Sequence, residues 1–225
     1  MSKKEAVNNV GKERKGGKFA NLFPPEHYRG LAIDEFAQTG DTGGRRFCLW
    51  DLAAAKAGNF KKIFKHSLVP REEDLRGHTF KGNNSHIKFW FFGKFIFSLY
   101  VGKLRDVLTG KLFSQPLTFQ KRLLDEDMPV KRGKEEGVVS GINYWCRRGR
   151  AYLPFKIYVS PAVQDKSLES LKIDYNVVIN KWIFHRPLID EIRRLPDSDL
   201  YLGRMYFRLG PFSIPFIWFG IEKIV

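Results

Sequence analysis

The sequence predicts a mainly β protein whose C-terminal two-thirds form one antiparallel barrel or strongly curved sheet. Three observations carry this: strand-length apolar runs separated by turn residues from about Leu75 onward, in–out alternation within them, and 15% aromatic residues. Period-two alternation buries one face per strand, and bulky flat rings suit a pleated surface enclosing a shared interior. The chain of 225 residues is long enough for a sizeable core.

Taken in order, residues 1–18 (MSKKEAVNNVGKERKGGK) are polar, basic and glycine-bearing, too poor in apolar surface to offset ordering entropy, and read as a flexible basic arm. Residues 19–74 read as an irregular, partly helical extension. Its plausible helix, Trp50 to Phe64, has Asp51 as a cap and an alanine run, with Gly58-Asn59 placed to split it. Residues 75–225 form the barrel domain. Within it Phe95, Phe97, Leu99 and Val101 alternate with polar neighbours, as do Leu153, Phe155, Ile157 and Val159, and again Leu171, Ile173, Tyr175 and Val177. Arg147-Arg148-Gly149-Arg150 reads as a hairpin between Val138–Cys146 and Ala151–Val159. One short helix is expected over Arg186–Leu195, from Pro187 in its first turn and the stripe Leu188, Ile192, Leu195. A closing hairpin turns at Gly210-Pro211. Eight to ten strands are expected, the range in which a closed barrel leaves room for side chains or one ligand.

The charge balance of +15 favours polyanionic partners, nucleic acid or an acidic protein surface among them, although solubility alone also accounts for it. Cys48 and Cys146 show neither CxxC nor structural-zinc spacing, and the five histidines have no ligand spacing, so neither a metal nor a cofactor is expected. No secretory h-region opens the chain. Ile87–Val101 is too short, and too interrupted by Lys88 and Lys94, for a membrane span; a cytoplasmic protein without a transmembrane segment is the expectation.

Residues 75–225 resemble the calycin superfamily, the group of lipocalin-like barrels. The resemblance rests on Leu75-x-Gly77-x-x-Phe80-x-Gly82, on Trp90-Phe91-Phe92-Gly93-Lys94-Phe95, and on Leu200-Tyr201-Leu202-Gly203-Arg204-Met205-Tyr206-Phe207. It implies an antiparallel lipocalin-like β-barrel that holds a hydrophobic small molecule or lipid. It also implies an aromatic–cation seal, with Phe80 near the position of the family's tryptophan and Arg204 or Arg208 as the covering cation.

Motifs of the common enzyme classes are missing: no GxSxG, HExxH, P-loop or dinucleotide fingerprint occurs. The leading expectation is non-enzymatic binding of a hydrophobic ligand lined by Phe95, Phe97, Phe155, Tyr175 and Phe207, with Arg204 or Tyr206 as an orienting contact. Those rings equally suit a solid core. A second reading makes the chain a basic interaction subunit of a nucleic-acid-containing assembly. There Arg147, Arg148 and Arg150 would touch phosphate while Trp145 and Tyr152 stack on bases; charged hairpin tips with inward aromatics are the plainer alternative. A third is a barrel enzyme of isomerase or cyclase type using His185, Tyr206 and Arg204, against which His185 is an ordinary histidine beside a helix start. The adjacent Asp190 and Glu191 are expected to form surface ion pairs with Arg193 and Arg194.

Overall fold

The computed structural model describes residues 31–83, 118–145, 151–180 and 185–224. Eight strands close into one antiparallel barrel in chain order: β1 (Thr79–Asn83), β2 (Thr118–Arg132), β3 (Glu135–Trp145), β4 (Ala151–Pro161), β5 (Glu169–Asp174), β6 (Leu188–Arg194), β7 (Leu200–Leu209) and β8 (Phe212–Lys223). Closure comes from β1 pairing with β8, Phe80 opposite Lys223 and Gly82 opposite Ile221, so no edge is left open among the eight.

Alternation decides what enters the barrel. Phe155 and Ile157 of β4, Leu171 and Ile173 of β5, and Met205 of β7 point inward, while Lys156, Tyr158 and Lys172 lie on the outer face. Leu75, fully buried, joins the same interior core just before β1. Val177 departs from the expected row. It packs with Val139 and Ile142 in a separate cluster, because the chain leaves β5 at Asp174 and folds outward.

The segment expected as a helix, Arg186–Leu195, is instead β6. Its apolar residues fit both periods, and the tie is broken by pairing on both sides: Ile173 and Met205 flank Asp190, and Leu171 and Gly203 flank Ile192. Asp190 and Glu191 therefore point to opposite faces of a strand, and they pair with Lys121 and Lys172 rather than with Arg193 or Arg194.

Before the barrel lie α1 (Leu31–Thr39), α2 (Leu49–Ala54) and α3 (Phe60–His66). Asp51 does cap, accepting the Cys48 N–H at 2.8 Å from the third position of α2. The expected interruption at Gly58-Asn59 is present as a 3-10 turn, Ala57–Asn59. Ile33, Phe36 and Ala37 of α1, together with Phe60, Ile63 and Phe64 of α3, present stripes that merge with Leu195, Leu200 and Leu202 from the barrel wall. The helices thus cover the outside of β7 and β8. Trp218 sits between, its ring stacked 5.9 Å from Phe60 and edge-on 5.7 Å from Phe64. Arg193 adds a clamp: its Nε donates to the Ser67 carbonyl at 2.9 Å, and Leu68 exchanges backbone hydrogen bonds with Arg194.

Two phenols, half-buried Tyr158 and buried Tyr201, report on this packing. Burial first pushes Tyr158 and Tyr201 up to about 12, with the Asp174 carboxylate adding to the effect on Tyr158. Each folded value lies above the ordinary 10.0, so the stability they contribute is complete below that pH and is lost as pH rises towards 12. In a titration followed by phenolate absorbance, these two rings are expected to ionise late, together with alkaline unfolding. Ionisation of every tyrosine near pH 10 in the folded chain would contradict the packing.

Candidate functional site

At the centre of the barrel, alternation places four polar side chains inside an apolar wall. Lys121 stands between Phe119 and Leu123 on β2, Asn143 lies beyond Gly141 on β3, Tyr175 follows β5, and Asp190 stands between Leu188 and Ile192 on β6. Lys121 is 2% exposed and Asp190 0%.

Lys121 Nζ donates to Asn143 Oδ1 at 3.0 Å, Tyr175 Oη at 2.6 Å and Asp190 Oδ2 at 3.0 Å, which uses all three ammonium protons. Tyr175 donates its hydroxyl proton to Asp190 Oδ2 at 2.8 Å and accepts from Asn143 Nδ2 at 3.1 Å. Burial lowers the Lys121 pKa and raises that of Asp190, each opposed by the other's charge. A buried charge is tolerated when it is paired and hydrogen-bonded, and this donor–acceptor count suits the ionised pair. One valence is left over. Asp190 Oδ1, fully buried, has no hydrogen-bond partner among the described residues.

The cluster is walled by rings. Lys121 Nζ lies 5.4 Å from the centroids of Phe119 and Phe155, 5.2 Å from Tyr175 and 5.6 Å from Phe219, within reach of cation–π attraction. Three of these rings share one device. The distal edge of Phe119 covers Gly82, that of Phe155 covers Gly141, and that of Phe219 covers Gly203; a Cβ at any of these glycines would come within 2.2 to 2.5 Å of the ring. A ring whose tip takes the place of a glycine's missing side chain lies against the strand that carries that glycine.

Of the residues singled out from sequence, Phe155 and Tyr175 belong to this site, and Phe207 packs against the same interior. Arg204 and Tyr206 do not. They alternate with Met205 and so face outward, where Arg204 lies 4.6 Å over Trp218 and 5.3 Å over Tyr206. Burial first, then Glu191, raises the Tyr206 pKa far above the usual phenol range. Beside Tyr206 on this outer face is a second buried pair, Lys172 with Glu191, whose carboxylate also accepts the Val163 N–H. His185 lies in the β5–β6 connection, half-buried, its pKa lowered by burial. Arg204 and Tyr206 are therefore not turned toward the interior. Phe95, Phe97, Arg147, Arg148 and Arg150 lie outside the described residues, as does Cys146; Trp145 ends β3 and Tyr152 lies near the start of β4.

The expected seal by Arg204 or Arg208 is likewise made differently. Phe80 is buried inside edge-on to Tyr201, at 5.5 Å, while Arg208 pairs with Asp174 on the outer face. The cation among the interior rings is Lys121. The sequence reading has no role for Lys121 or Asn143 and puts Asp190 in a surface ion pair, whereas it is paired inside the barrel. A lysine in the apolar row Phe119, Leu123 and an aspartate in the row Leu188, Ile192 are the signal that was present: opposite charges, each central to a buried face.

The fold and this site define a closed eight-stranded antiparallel barrel with an aromatic interior around one buried ion pair. Comparison with known protein families, curated proteins and solved structures finds no match to the chain. Among the described residues, no helix is long and apolar enough to cross a membrane.

Proposed function

We propose that the chain is a lipocalin-like carrier that holds one apolar small molecule inside the barrel without transforming it. The observation that supports this best is the interior itself: rings turned onto glycines along the wall, around a single compact polar cluster. Small-molecule sites have this composition, mostly apolar and aromatic with a few fixed polar groups that orient the ligand, and eight strands is the size at which a barrel is filled by its side chains or holds one small ligand. The outward placement of Arg204 and Tyr206 removes two of the three residues a barrel enzyme would have used. The proposal assigns the orienting role to the Lys121, Asn143, Tyr175 and Asp190 cluster instead.

Titration with Nile red, a neutral apolar dye, tests the reading. Saturable blue-shifted emission at one dye per chain, unchanged between low and high salt, is expected, because burial of apolar surface does not depend on counterion release. Absence of uptake, or uptake that collapses with salt, would remove the proposal.

A further inference from the structure

We infer that the molecule held by the barrel presents a neutral hydrogen-bond donor, a hydroxyl in the simplest case, to Asp190 Oδ1, and that the site rejects the corresponding carboxylate. This rests on the reading that the interior takes an apolar ligand. It starts from the one polar atom of the cluster that is left unpartnered among the described residues. A buried acceptor without a donor is costly, and a ligand that supplies the donor recovers that cost on binding.

The surrounding valences decide which head group fits. Every proton of Lys121 is directed to an atom of the protein, so no ammonium proton is spare for an incoming carboxylate. The hydroxyl proton of Tyr175 goes to Asp190 Oδ2. A ligand anion would have to break this network and then stand beside the Asp190 carboxylate. A ligand cation gains little, because Lys121 already balances that carboxylate at 3.0 Å. A neutral O–H or N–H satisfies Oδ1 and disturbs nothing. The ligand body then lies among the rings of Phe119, Phe155 and Phe219, which offer only apolar surface.

The test is displacement of Nile red from the full-length protein at neutral pH by four molecules of one chain length: dodecanol, its methyl ether, dodecane and dodecanoic acid. Dodecanol is expected to compete about tenfold more strongly than the ether, which can only accept, and at least as much more strongly than the acid. The double variant Lys121→Met/Asp190→Leu, which replaces the charged pair by apolar side chains, is expected to lose the preference for alcohol over ether, read as the ratio of their affinities by direct calorimetric titration whatever its affinity for the dye. If the acid competes as well as the alcohol, or the double variant keeps the preference, the inference is overturned while the carrier reading stands. If Nile red itself does not bind, the carrier reading fails and the inference with it.

Discussion

Lys121→Met lowers the unfolding free energy by about 3–5 kcal/mol, because it strands Asp190 without its counter-charge in a buried, ring-lined interior. The ammonium is the only cation hydrogen-bonded to that carboxylate among the described residues, and its removal also frees Asn143 Oδ1. Adding Asp190→Leu restores most of the loss. Apolar groups of similar volume replace a buried pair at little net cost, and Asn143 and Tyr175 still hold one another. Urea denaturation of the wild type, both single variants and the double variant gives the coupling directly. Additive losses, with no recovery in the double variant, would show that the two charges do not meet inside the barrel.

Gly141→Ala is expected to cost about 3 kcal/mol, at the upper end for overpacking. Its methyl would stand 2.5 Å from the Phe155 ring and 2.6 Å from the Arg122 carbonyl oxygen on the neighbouring strand. The ring could turn away, but the carbonyl belongs to the β2 backbone and moves only with the barrel. Because Phe155 also faces Lys121, the same substitution is expected to weaken dye binding. Gly58→Ala, with nothing within 4 Å of the added methyl, serves as the control and leaves thermal stability unchanged or slightly raised. Equal melting temperatures for the Gly141 and Gly58 variants would contradict the close ring–glycine contact.

How much of this could be read from the chain follows from the range of the forces involved. The barrel class, the closing hairpin at Gly210-Pro211 and the inward row Phe155, Ile157 were legible because alternation is local and a turn residue acts within a few positions. The strand Leu188–Arg194 was not. Leu188, Ile192 and Leu195 satisfy a helical stripe as well as Leu188 and Ile192 satisfy a strand face, and only hydrogen bonds from β5 and β7 decide between them. That misreading hid the site, since a helical Asp190 stands beside Arg193 and Arg194, whereas a strand Asp190 enters the barrel. The glycine–phenylalanine contacts were out of reach for a different reason. Gly82 meets Phe119, and Gly203 meets Phe219, only once the barrel register is set. The extension was legible as helix broken at Gly58-Asn59, but its seat against Trp218 is a property of the assembled wall.

Non-denaturing mass spectrometry of the full chain isolated from its own source tests the carrier account most directly. The account predicts one small apolar molecule per chain, bearing a hydroxyl or N–H, that leaves when the protein is unfolded. A chain that emerges instead with stoichiometric nucleic acid or protein and no small molecule would contradict it.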